Sequence, residues 1–138
     1  MRLVLDNNPL FSIMNPKSVS AYLFSSIRTE FIAPECIRNE LNEYKEECLF
    51  KSKLSEHEFE IRQEDVEESI EFFKESKYDA LLGVAIKNLP DPKDSPYLAL
   101  ALLTNSAIWS NDLHLKVQSL AIVLTTKDLV KMFLRGEL

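Results

Sequence analysis

Leu3-Val4-Leu5 is an uninterrupted apolar run closed by Asp6-Asn7-Asn8-Pro9, residues that favour a turn, so the chain opens on a buried strand ending at residue 5 or 6. Residues 9 to 15 then suggest a short helix stopped by Pro16, and residues 18 to 28 place Val19, Tyr22, Leu23 and Ser26 on one helical face. Phe31-Ile32-Ala33 reads as a second strand. Pro34 suits the first position of a long helix, whose apolar residues Ile37, Leu41, Tyr44 and Cys48 recur at three or four.

Ser55 followed by Glu58 has the form of a capping box and opens an acidic helix running to about residue 68. Ile70, Phe72 and Phe73 fit the end of that helix or a short strand; a strand over 70 to 74 is favoured, because a new helical pattern, Tyr78, Leu81, Leu82, Ala85, follows at once. Beyond a turn-rich loop from Leu89 to Pro96, Tyr97 to Leu103 forms a compact apolar helix whose Ala99 and Ala101 allow close packing on a sheet. Residues 107 to 110 and 121 to 124 are two further strands, and a last helix runs from Thr125-Thr126 to about residue 134. Short apolar strands alternating with helices predict an α/β protein, a three-layer α/β/α sandwich around a mostly parallel sheet of four to five strands. No break in composition divides residues 1–138, which read as a single domain. Gly83 and Gly136 are the only glycines, so the chain has neither a P-loop nor a dinucleotide-binding fingerprint.

Composition changes this picture in a few places. At 138 residues the chain is long enough to build a full core without disulfides. Sixteen Lys plus Arg against 22 Asp plus Glu give a formal charge of −6, which excludes holding nucleic acid by overall positive charge and leaves a local patch as the alternative. Cys36 and Cys48 are neither a disulfide framework nor a metal or redox motif, and read as small apolar filler on a helix. The first residues lack the apolar run of a signal peptide and no stretch is long enough to span a bilayer; a cytoplasmic protein is the expectation.

The acids carry the candidate chemistry. Asp6 and Asp112 each follow the end of a predicted strand, at the edge where open α/β sheets bind ligands, and each either caps the following helix or belongs to a polar site. Glu40 lies three and four residues from Ile37, Cys36 and Tyr44, near the apolar face of its helix, where a carboxylate needs a partner. Asp94 stands where the compact helix begins, three and four residues before Tyr97 and Leu98; it is a cap or a site acid, with Asp91 competing for the latter role. Four carboxylates on one rim repel each other, and a divalent cation relieves that repulsion. Oxygen donors without a His or Cys cluster favour Mg²⁺ or Mn²⁺ over Zn²⁺. His57 and His114 read as surface residues.

Four segments in this order carry a family resemblance: Val4-Leu5-Asp6-Asn7-Asn8; Pro34-Glu35-Cys36-Ile37-Arg38-Asn39-Glu40-Leu41; Asp91-Pro92-Lys93-Asp94-Ser95-Pro96-Tyr97-Leu98-Ala99-Leu100-Ala101; and Ile108-Trp109-Ser110-Asn111-Asp112-Leu113-His114-Leu115. Over essentially its full length the chain resembles a PIN domain, the metal-dependent nuclease family that includes many toxins of toxin–antitoxin pairs. The resemblance places the family's acids on Asp6, Glu40, Asp94 and Asp112, matches its usual Ser or Thr with Ser110, and puts Asn8 at an often small polar position. Asn111 departs from the usual Gly, and tolerates a left-handed backbone better than most residues.

What the resemblance implies is metal-dependent hydrolysis of phosphodiester bonds in RNA by an endoribonuclease. Asp6 and Asp94 would hold Mg²⁺ or Mn²⁺, Asp112 would act through water, and Glu40 would orient or deprotonate the attacking water or help hold a second ion. Ser110 and Asn8 would hydrogen-bond the carboxylates or the phosphate. Arg38, Lys93, Lys116 and Lys127 are candidate phosphate contacts. A toxin role, an antitoxin partner and a homodimer are the narrower expectations. Two rivals compete. A phosphatase of the haloacid-dehalogenase kind would want a second Asp where Asn8 stands, and a phospho-receiver wants acids this chain does not supply. A catalytically silent PIN-like module, binding RNA or protein, is separated from the nuclease by whether Asp6, Glu40, Asp94 and Asp112 converge within metal-bridging distance, on the order of a few ångströms; if they diverge, hydrolysis loses its physical basis.

Overall fold

The computed structural model describes residues 1–138. Its centre is a five-stranded, wholly parallel sheet in the order β3-β2-β1-β4-β5, built from β1 (Arg2–Leu5), β2 (Glu30–Pro34), β3 (Ile70–Phe73), β4 (Ala107–Trp109) and β5 (Val123–Leu124). Leu3, Val4 and Leu5 are fully buried, as a parallel strand covered on both faces requires. The connections run outward from β1 to β2 and β3, then return to its other side for β4 and β5. The boundary between β1 and β4 is therefore the point where the strand order reverses, and in sheets of this kind the crevice at the carboxyl ends of such strands receives the ligand.

Nine α-helices complete the layers: α1 (Asn7–Ile13), α2 (Val19–Ser26), α3 (Ile37–Glu43), α4 (Lys45–Ser52), α5 (Glu56–Glu68), α6 (Glu75–Tyr78), α7 (Leu82–Lys87), α8 (Ser95–Thr104) and α9 (Thr126–Leu134). Three short 3₁₀ turns, Asp79–Leu81, Pro92–Asp94 and Leu113–Val117, join them. The apolar α8 packs on β1, β2 and β4, with Ala99 and Ala101 buried where a larger side chain would hold the helix off the sheet. Ser55 and Glu58 form both halves of the capping box that starts α5. No helix is long and apolar enough to cross a membrane.

The structure corrects several expected boundaries. Pro34 ends β2 rather than starting a helix: β1 pairs no further than Ile32, so the missing N–H costs no bond on that side, and Glu35 N donates to the Phe73 carbonyl (2.8 Å). The expected long helix breaks at Tyr44, whose φ of −103° and ψ of 18° are not helical, so Cys36 and Cys48 do not share one helix. Periodicity is blind to one non-helical residue when the apolar sides of both segments, Ile37, Leu41 and Cys48, still face the core. The pattern from Tyr78 to Ala85 likewise divides around a 3₁₀ turn, since spacings of three suit both helix types. The last strand is shorter than 121 to 124, because the Gln118 amide takes both backbone groups of Ala121 before β5 begins.

Candidate functional site

β1 ends directly in Asp6, which is 2% exposed. One carboxylate oxygen accepts the Asn7 backbone N–H (2.8 Å) and caps α1, and the other accepts the Ser110 hydroxyl (2.6 Å). Ser110 lies just beyond β4, fully buried, and its Oγ also accepts the Asp112 N–H (3.0 Å). One hydroxyl thus ties the ends of the two strands that flank the reversal of strand order. Burial raises the Asp6 carboxyl to about 6; the Ser110 and Asn7 hydrogen bonds pull against that rise, and Glu40 and Asp112 add to it.

Asp94 holds the N-cap position of α8 but makes no capping bond, so the capping role open to it in sequence is not used. It is half-buried, and its carboxyl rises to about 6 through burial first, then through the negative charges of Asp6, Asp112, Asp91 and Glu40. The charge of each of the four sequence-predicted acids is thus felt by at least one of the others. Glu40 is fixed from two sides: buried Tyr97 donates its hydroxyl to Oε1 (2.9 Å), and the Asn7 side-chain amide donates to Oε2. Asp112 caps the 3₁₀ turn that follows it, accepting the His114 N–H (2.9 Å), with the His114 ring Nδ1 3.5 Å from the same oxygen. None of the chain's ion pairs includes Asp6, Glu40 or Asp94.

The remaining candidates divide. Asp91 is exposed and caps the 3₁₀ turn at Pro92–Asp94 by accepting the Lys93 N–H (3.0 Å). Asn8 accepts the Asn111 N–H (3.2 Å), joining α1 to the loop after β4. Arg38 points elsewhere: its guanidinium lies 3.8 Å from the centre of the Phe72 ring and 3.6 Å from Glu67. Lys116 stands 3.5 Å from Asp128, while Lys93 and Lys127 are exposed and in no ion pair. Asn111 has no positive φ; its side chain instead grips Thr126, donating to Oγ1 (3.0 Å) and accepting the N–H (2.8 Å) at the start of α9. Sequence reading passed over Asn7 and Tyr97, the two donors on Glu40. Tyr97 had been assigned to an apolar helix face and Asn7 to a turn, and the one available signal was that a Glu near an apolar face must find donors.

As the side chains lie, no three His, Cys, Asp or Glu residues group closely enough to hold a metal ion among themselves. The four acids therefore do not converge within metal-bridging distance as a set, and what they share is an electrostatic field. The donor set still suits a hard cation: it is all oxygen and partly buried, and three of its four acids, Asp6, Glu40 and Asp94, are in no ion pair.

The family model of the PIN domain matches residues 4–133, and the chain belongs to that family. The α/β/α architecture with its parallel sheet is that of a PIN-like fold, and membership places the chain in a superfamily of nucleases and RNA-binding proteins. No curated protein matches the sequence.

Proposed function

We propose that the protein is a Mg²⁺- or Mn²⁺-dependent endoribonuclease acting at the rim of Asp6, Glu40, Asp94 and Asp112. One observation carries the reading: Asp6 is buried at the end of β1 and Asp94 half-buried at the start of α8, and no cationic side chain pairs with either, so burial and like charge push both carboxyls up. A divalent cation answers that imbalance. Mg²⁺ keeps several of its waters and is bound through one or two carboxylates plus substrate phosphate, so Asp6 and Asp94 would be the residues to hold it without a third side chain. When bound, the cation supplies acidity to water and neutralises charge developing on the phosphate. Ser110 fixes the orientation of Asp6, and Glu40, anchored by Tyr97 and Asn7, retains lone pairs to accept a proton from the attacking water. A toxin role with an antitoxin partner, and a homodimer, are narrower forms of this reading that rest on family resemblance.

A second reading, a PIN-like module that binds RNA or protein without cutting it, is backed more directly by the side chains as they stand, because no three acids form a metal-holding group. One experiment separates the two. A mixed panel of RNAs and single-stranded DNAs is incubated with EDTA, Mg²⁺ or Mn²⁺, using wild type and Asp6→Asn purified identically. RNA cleavage that needs the metal and falls at least about a hundredfold in the variant is expected. RNA bound but left intact by wild type under every condition establishes the silent module instead.

A further inference from the structure

Beside the acid rim, α1 and α4 enclose an open groove of about 490 Å³ that the hydrolytic reading does not use. Its apolar side is aromatic: Tyr44, 45% exposed, and Phe11 lie with ring centres 6.1 Å apart. Its polar side carries Asn7, Asn8, Ser12 and Asn15. These residues keep free hydrogen-bonding atoms pointing both ways. Asn8 and Asn15 spend their carbonyl oxygens on the Asn111 and Lys17 N–H groups and leave their amide donors, whereas Asn7 spends its amide on Glu40 and leaves its carbonyl. The only charges are Lys51 and Glu47, paired with each other at 2.8 Å.

A neutral groove with an exposed ring on one side and amides on the other suits a planar, uncharged heteroaromatic group. It does not suit a phosphate, which would meet no free cation there. Single-stranded RNA supplies such groups, because unstacked bases lie on aromatic side chains and offer their edges to polar ones. Asn7 belongs to both places: it lines the groove and donates to Glu40 in the rim. We propose that this groove is a nucleobase subsite, in which an unpaired base of single-stranded RNA stacks on Tyr44 and bonds to the amides of Asn8 and Asn15 while a neighbouring phosphate lies at the acids. The subsite rests on the reading of the rim as an RNA site, but not on that site being hydrolytic.

The test is therefore a binding measurement, made in Ca²⁺ so that a divalent cation is present at the acids, with the RNA checked for integrity on a denaturing gel. A short fluorescein-labelled single-stranded RNA, and copies carrying one abasic position each, are titrated by anisotropy with wild type, Tyr44→Ala and Tyr44→Trp, with thermal melts as the check on folding. Tyr44→Ala is expected to weaken binding about tenfold or more, and Tyr44→Trp to retain it. One abasic position should weaken wild-type binding to a similar extent and add nothing in Tyr44→Ala. Equal affinity of wild type and Tyr44→Ala, additive losses at every abasic position, or no binding by wild type overturns the subsite. Cleavage of RNA that is indifferent to Tyr44 removes the subsite and leaves the nuclease; binding that depends on Tyr44 without cleavage does the reverse.

Discussion

Asp6 uses both carboxylate oxygens within the protein, one as a helix cap and one on Ser110. In sequence, capping and site roles compete for it; a carboxylate has two oxygens and two sets of lone pairs, so the cap bond does not exclude the proposed site role. The cost lies in its charge. With a folded pKa of about 6 against 3.8 for the free group, the native state binds the Asp6 proton more readily than the unfolded chain does, so stability falls as pH rises between those values and stays lowered above them. Asparagine caps helices well and carries no charge. Asp6→Asn is thus expected to be more stable than wild type at pH 7.5, by about 2 kcal/mol or roughly 5 °C in Tm, with the gain gone near pH 4. Melts of both proteins across that range check it; a variant less stable than wild type at pH 7.5 would show that the hydrogen bonds outweigh the buried charge. What no residue-level reading offered was Tyr97 and Asn7 as the holders of Glu40, because those bonds join positions 57 and 33 residues apart.

Elements were legible where one rule governed them and misread where tertiary contacts chose between two. The apolar runs of β1 and β2, the capping box of α5 and the strand at Ile70–Phe73 follow from local pattern. Pro34 is compatible with a helix start or a strand end, and its pairing with Phe73 of β3 decides, with β1 ending short of it. The junction of β4 with α9 shows the same limit at Asn111. A left-handed turn was the sequence-based reason to accept Asn where the family has Gly, yet φ there is not positive and the side chain works by gripping Thr126, whose Oγ1 also accepts the Trp109 indole N–H (3.0 Å). Two bonds are lost when that side chain is removed, which predicts a cost of about 1–2 kcal/mol for Asn111→Ala and no less for Asn111→Gly, since glycine adds chain entropy without relieving strain. Urea denaturation of the two variants decides the matter: Asn111→Gly clearly more stable than Asn111→Ala would restore the left-handed explanation.

On the scale of the whole molecule, the order β3-β2-β1-β4-β5 is what turns scattered acids into a rim, since it sets the ends of β1 and β4 side by side with α8 across them. Alternating strands and helices imply a parallel sheet, which puts Asp6 and Asp112 on one edge but does not say which strands are neighbours; the adjacency of β1 and β4 is legible only in the structure. The same arrangement limits how RNA is held. The chain carries −6, Arg38 is committed to Phe72 and Glu67, and Lys116 faces Asp128, which leaves Lys93 and Lys127 as the unpaired basic candidates from the sequence. Two phosphate contacts on a single strand predict a slope of log K against log salt of about −1.4, shallow for an RNA-binding protein, and removing one contact should lower its magnitude by about 0.7. Titrations of single-stranded RNA over a range of KCl at constant Ca²⁺ in place of Mg²⁺, with wild type, Lys93→Ala and Arg38→Ala and with the RNA checked for cleavage, measure this directly. Lys93→Ala is expected to flatten the slope and Arg38→Ala to leave it unchanged; the opposite pattern would mean that Arg38 leaves Phe72 when RNA arrives, and that the rim reorganises around its substrate.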